Sequence, residues 1–226
     1  MKRLILKKLV IISQKNEEAR TIEFDDRLTV ITGDNPSGET INRTGKSLVM
    51  KSIYYSLGAK LKKYTTNWDS LQISTIVTFL YDGIKYELYR DRNSFILRSD
   101  DEVKFFASIS EQKKFYVEYF EFYLKMPIKK DDENSVYAYP GAIFMPFYID
   151  QDKGWSGSWD SFSDVFTGKW KPEILLYHMG VRTREYYDLL DEKIQLENEQ
   201  KENKRQLKTY EAVIKKHTEK YKDYLD

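Results

Sequence analysis

Three consecutive residues, Gly45, Lys46 and Ser47, bring together the groups that hold a nucleoside triphosphate. Its phosphate oxygens need backbone N–H groups converging without a Cβ in the way, a positive charge for the β and γ oxygens, and a hydroxyl to complete the shell of a Mg2+ ion. Gly45, Lys46 and Ser47 supply these in turn, at the end of the string Asn42-Arg43-Thr44-Gly45-Lys46-Ser47, which reads as the close of a Walker A loop. The expectation is a site for ATP and Mg2+ in which Asn42, Arg43, Thr44, Gly45, Lys46 and Ser47 bind the nucleotide. Lys46 is the catalytic cation and Ser47 a metal ligand. The bland alternative is a helix start that spells Gly-Lys-Ser by chance. Counting back from Gly45 places Thr40, not glycine, at the first glycine of the common pattern. Either the loop carries an insertion between Gly33 and Asn42, or the backbone turns differently at Thr40. Asn42-Arg43-Thr44 is also a glycosylation sequon, a reading set aside because the chain has no cysteine and Lys7 and Lys8 interrupt its first apolar run before a signal-peptide core forms.

A phosphate loop must hang between a strand and a helix, and the flanking sequence has that order. Leu4 to Ser13, Arg20 to Phe24 and Leu28 to Thr32 are short aliphatic or β-branched runs read as three strands. Asp34 to Thr44 is a polar loop without apolar periodicity. From Lys46 to about Leu57, residues Val49, Met50, Ile53, Tyr54 and Leu57 fall on one helical stripe, with Gly58 as the stop. Gln72 to Tyr81, Ile84 to Asp91 and Phe95 to Arg98 read as an antiparallel meander linked at Asp82-Gly83 and Arg92 to Ser94. Glu111 to Leu124 reads as a helix and Pro127 to Tyr139 as a surface loop. Ala142 to Ile149 is an apolar run broken by Pro146 and ending at Asp150-Gln151.

From Tyr186 the pattern changes. Tyr186, Leu189, Lys193, Leu196, Gln200, Asn203, Leu207, Tyr210, Ile214, His217, Tyr221 and Tyr224 follow alternating spacings of three and four with no glycine or proline between them. This is a coiled-coil seam, weakened by its polar positions. It ends at Asp226 without a capping signal, which reads as a truncated chain. The division expected is a head over 1–180 and the start of an arm over 181–226, within a chain of 226 residues. Charged residues make up 32% of the chain, above the usual ~25%, and collect on the arm. The formal charge of +1 leaves no global field to steer the molecule onto nucleic acid or an anionic membrane. No run reaches membrane-spanning length, and the absence of cysteine suits a cytoplasmic protein.

The chain resembles the ATP-binding-cassette heads of the structural-maintenance-of-chromosomes superfamily, which includes the double-strand-break repair ATPases and the RecN and RecF types. Ile31-Thr32-Gly33-Asp34-Asn35, followed by Asn42 to Ser47, is similar to their I-x-G-x-N-x-x-G-K-S loop with a seven-residue insertion. Ser52 to Gly58 is similar to their stretch closing on A-I-x-x-x-L-G. The resemblance implies an α/β P-loop NTPase lobe with an antiparallel β-subdomain, followed by a coiled-coil helix. It also implies a Q-loop glutamine beyond the Walker lysine, contacting Mg2+ and the attacking water. Gln151, in Phe147-Tyr148-Ile149-Asp150-Gln151-Asp152, looks like that residue, the alternative being a surface-turn glutamine. The Walker B strand, signature loop and switch histidine lie in the family after the returning coil, and nothing here matches them. The head would therefore hydrolyse ATP once completed by a C-terminal half and do so poorly alone. The resemblance further implies an ATP-sandwiched homodimer that acts as a clamp or sensor on DNA, in repair or, as in Lamassu-type systems, in anti-phage defence. A nucleotide-gated scaffold that recruits an effector nuclease without touching DNA is the second reading. A stand-alone nucleotide kinase is a third, opposed by the long polar coil.

Other residues invite competing readings. Ile143 to Asp150 and Leu189-Leu190-Asp191-Glu192 imitate a Walker B strand, but Pro146 interrupts the first and the second lies in the helical seam. Trp155, Trp159, Phe162, Phe166 and Trp170 suit base stacking or, more simply, a local core under a loop. Lys60, Lys62 and Lys63 suit DNA phosphates or a solvated face. His178 and His217 have no ligand partners at metal spacing and read as structural.

Overall fold

The computed structural model describes residues 3–32, 46–61, 70–127, 135–149, 159, 161–163 and 170–222. Its centre is a six-stranded antiparallel sheet in the order β2-β1-β3-β4-β5-β6. The strands are β1 (Leu4–Ser13), β2 (Glu18–Glu23), β3 (Ile73–Tyr81), β4 (Ile84–Asp91), β5 (Ser94–Arg98) and β6 (Val103–Phe106). Two-residue turns join β3 to β4 and β4 to β5. Asp82, Gly83 and Arg92 have positive φ there, the backbone twist that tight hairpins require. Alternation then decides the inner face: Leu9, Val77, Leu88 and Leu97 lie side by side across four strands and all are buried.

Two helices are fixed to the head around that sheet, α1 (Lys46–Ser56) and α2 (Ile109–Phe120). Ser108 caps α2 by accepting from the Glu111 N–H at 3.2 Å, while Glu111 reaches back to the Ala107 N–H at 2.8 Å. Phe115, Tyr116 and Phe120 carry its apolar face into an aromatic cluster with Phe79, Tyr81 and Phe106. A small hairpin, β7 (Lys125–Pro127) with β8 (Ser135–Tyr137), is followed by α3 (Pro140–Phe144) and α4 (Trp170–His178).

The chain leaves the head as α5 (Arg184–Tyr221), 38 residues or about 57 Å at ~1.5 Å per residue. Its root is fastened. Tyr187 is buried, Asp191 pairs with Lys125 of β7, and the Arg184 guanidinium lies 4.9 Å from the Tyr123 ring. Arg182 also pairs with Glu173 across the turn between α4 and α5. Beyond the root the helix is largely exposed, with Ile194 and Glu197 half-buried and Leu189, Leu196, Leu207 and Ile214 uncovered.

Three expectations are corrected. Leu28 to Thr32 is not a strand; no described strand lies beside it, and Leu28 and Val30 are 75% and 70% exposed. A β-run needs a neighbouring backbone before it becomes a strand. The stretch from Pro127 to Tyr139 is not wholly loop, because its two ends pair as the β7–β8 hairpin. Val103–Phe106 adds a strand to the meander. The antiparallel subdomain and the helix beginning at Lys46 stand as expected, and the long helix expected from the seam is present.

Candidate nucleotide site

Lys46 and Ser47 are the first two residues of α1, both half-buried. Asn42, Arg43, Thr44, Gly45 and Gln151 lie outside the described residues, as do Trp155, Phe166, Lys62 and Lys63. The N–H groups of a first helical turn have no partner within the helix and carry the positive end of its dipole. Three other described helices neutralise that end with an acidic side chain of their own: Glu111 in α2, Glu173 in α4 and Glu185 in α5. The first turn of α1 has no acidic residue and opens with a lysine instead. Positive charge is added where α2, α4 and α5 offset it, so the local chemistry suits an anion from outside the helix. An ammonium, a hydroxyl and the N–H groups of a first helical turn are the kinds of donor that a triphosphate with its Mg2+ requires, and Lys46 and Ser47 fit that group.

The other end of α1 is held from below. Gly58 takes φ +92 and closes the helix with its N–H on Tyr55 O at 2.8 Å, followed by Ala59 N–H on Tyr54 O at 3.0 Å. A Cβ at Gly58 would run into the buried Gln112 amide, so only glycine fits. Arg90 of β4 donates to Tyr55 O, and the Tyr116 hydroxyl of α2 donates to Leu57 O. Burial pushes the Tyr116 phenol above its ordinary range, which keeps it a neutral donor. Arg90 escaped the sequence reading, although a signal was present. Tyr86, Leu88 and Arg90 occupy alternate positions of one strand and all face inward, so an arginine stands in an apolar register.

The chain that approaches Gln151 is pinned to the same helix. Tyr148 lies 4.5 Å from the Tyr54 ring of α1, and Phe162 packs on both at 5.6 and 5.8 Å. Ser161 Oγ donates to Tyr148 O at 3.1 Å, and Ser163 N–H donates to Lys60 O at 2.7 Å. Segments on both sides of Gln151 are thereby anchored on α1 and its continuation. Phe162 and Trp170 are buried, so the described part of the aromatic stretch is local core.

Among the described residues, neither Walker B imitation forms a strand. Pro140–Phe144 is helical and Leu189 to Glu192 belongs to α5. His178 stands among Phe122, Phe147 and Tyr177 and donates Nε2–H to Ala142 O at 3.1 Å. Burial lowers its pKa below the ordinary 6.5, partly offset by that bond. His217 stacks over Tyr221 on the exposed arm.

Comparison with known proteins gives this arrangement a family. A family model described as an AAA domain matches residues 3–226. The chain is 27% identical over 202 residues to the Lamassu protein LmuB of Bacillus cereus (strain VD014), covering 87% of this chain and 34% of that protein. It is 31% identical over 148 residues to the Lamassu protein LmuB of a Bacillus sp. strain, covering 65% of this chain and 24% of that one. The chain thus spans about a third or less of the length of the curated relatives it matches. Matched across nearly all its residues, it belongs to the AAA domain family, as an ATPase head of the structural-maintenance-of-chromosomes type.

Proposed function

We propose that this chain is the nucleotide-binding half of an SMC-like ATPase that serves anti-phage defence. Asn42, Arg43, Thr44, Gly45, Lys46 and Ser47 cradle ATP, while Ser47 and Gln151 would hold its Mg2+. The reading is carried by the first turn of α1, which opens with a lysine and a serine where α2, α4 and α5 each place a glutamate. The Lamassu relatives support the defence role, and the anchoring of Tyr148 on Tyr54 supports Gln151 as the Q-loop residue. Bound Mg2+ would withdraw charge from the phosphates. Lys46 holds the β and γ oxygens, and Gln151 orients a water for attack.

The site is completed by a C-terminal half of the head. Leu28 and Val30, exposed on the segment that leads to the phosphate loop, and Phe147 and Ile149, exposed ahead of Gln151, support that reading, since apolar residues in such positions suit a neighbouring strand and loop. Two completed heads dimerise across ATP, and α5 pairs with a returning helix to carry the nucleotide state outward. The assembly acts as a clamp or sensor on DNA.

Near-neutral charge favours a second reading, the nucleotide-gated scaffold that recruits an effector nuclease without a DNA contact of its own. Titrating duplex DNA at rising salt separates the two. A clamp binds with an affinity that falls steeply with salt as counterions are released, and the scaffold shows no such binding. The nucleotide role itself is tested by ATP-dependent dimerisation of the completed head in light scattering. Dimers that form with Mg-ATP and not in its absence support the proposal, and a molecular mass indifferent to nucleotide contradicts it.

A further inference from the structure

We propose that Arg90 is a positioning residue for the phosphate site, holding the axis of α1 from its C-terminal end so that Lys46 and Ser47 meet the triphosphate at the other. The inference rests on the nucleotide reading above and concerns how that site is aimed. α1 has 11 residues, a rod of about 16 Å at ~1.5 Å per residue. Tilting such a rod by about 4° around one end moves the other by about 1 Å, and a misplacement of about 1 Å can cost on the order of 10²-fold at a reacting centre. Whatever fixes the far end therefore fixes the site.

Arg90 is 4% exposed and planar contacts surround it. Its Nη1 donates to Tyr55 O and lies 3.5 Å from Ala59 O; its Nε donates to Arg92 O at 2.8 Å. The guanidinium carbon sits 3.6 Å from the Tyr55 ring centroid and 5.0 Å from that of Phe95. One rigid fork thus ties the last carbonyls of α1 to the β4–β5 turn of the central sheet. Helix closure does not require it, because Gly58 and Ala59 already cap that end with their own N–H groups. Burying a cation is costly unless its bonds are met. Here they are spent on main-chain acceptors, which no change of side chain on α1 would remove. Tyr116 adds a second tether two residues on, at Leu57 O, from a different element. The negative end of the helix dipole favours a cation there, as the positive end favours the phosphate.

A lysine can keep the charge of Arg90 but not its fork. Calorimetric titration of Mg-ATP into the 226-residue chain, alongside thermal unfolding, compares wild type, Arg90→Lys, Tyr116→Phe and Lys46→Ala. The expected result for Arg90→Lys is one nucleotide per folded chain with Kd raised about 10-fold, and for Tyr116→Phe a smaller rise of the same kind. A merely structural role would lower the binding stoichiometry or Tm and leave Kd of the folded fraction alone, and that pattern overturns the proposal. So does an unchanged Kd at full stoichiometry. If Arg90→Lys does not fold, Tyr116→Phe decides, since it removes one hydroxyl and leaves no cavity. A wild-type chain that fails to bind, or binds no better than Lys46→Ala, removes the nucleotide reading and this inference with it; normal Lys46 dependence with unmoved Arg90 and Tyr116 variants removes the inference alone.

Discussion

The helix that starts at Lys46 and Ser47 was legible in the sequence because its signals are local, an apolar stripe from Val49 to Leu57 and a stop at Gly58; the phosphate site proposed at its start rests on the cation and hydroxyl placed there. Two residue-level predictions follow from their surroundings. Ser47→Ala removes the hydroxyl assigned to the metal, so ATP affinity becomes nearly the same with Mg2+ and with a chelator, whereas the wild type weakens when Mg2+ is withdrawn; fluorescence titration of ATP in the two buffers reads the difference. Gly58→Ala forces a Cβ against Gln112 and strains a residue at φ +92, and urea unfolding should show a loss of about 1–3 kcal/mol. Arg90 was not legible. A charged residue in a strand reads as a solvated face, and only the inward register it shares with Tyr86 and Leu88 says otherwise.

At the scale of elements, alternation and turn chemistry located β1, β3 and β4 because each lies between partners and ends in a definite turn. Edges were harder. β6 is four residues long, and β7 and β8 of three residues each sit at the ends of a polar stretch, so neither has enough pattern to register in a window of sequence. Leu28 to Thr32 erred in the opposite direction, with strand composition but no neighbouring strand among the described residues. The sheet itself can be probed at Thr78, buried on β3 with its hydroxyl unpaired. Thr78→Val keeps the shape and removes that burden, so stability should rise by about 1 kcal/mol in urea unfolding. His178 supplies a pH test of the packing between α3 and α4. Its folded pKa lies below the ordinary 6.5, so the unfolded chain binds more protons between those values. Stability is full above about pH 6.5 and falls as pH drops through the folded pKa. Thermal unfolding of His178→Gln, which keeps an N–H donor without a titratable ring, should show a shallower loss of Tm over that window than the wild type.

Among the described residues, the molecule is a packed head with a long helix fastened at its root. Tyr187, Asp191 and Arg184 bind α5 to the head, and the following turns expose an apolar stripe and an almost wholly polar remainder. Most helical stability comes from packing of an apolar face, so an uncovered arm should open easily. Hydrogen exchange should find amides of residues 200–221 exchanging far faster than those of 184–191, and slowing when the C-terminal part of a longer polypeptide is supplied. Equal protection along α5 in the chain alone would show that the stripe needs no partner. The long helix was visible in sequence as a spacing of three and four without glycine or proline; a partner for its stripe was not, because a helix reports its own stripe and not what would cover it.

Everything above the fold depends on whether the start of α1 holds a triphosphate, and the most direct measurement is calorimetric titration of Mg-ATP into the chain and into Lys46→Ala. The account predicts saturable binding near one nucleotide per chain that weakens at least about 10-fold in the variant, as expected when a charge-assisted contact to the β and γ oxygens is lost. Equal affinity in both chains, or no binding by either, would contradict it.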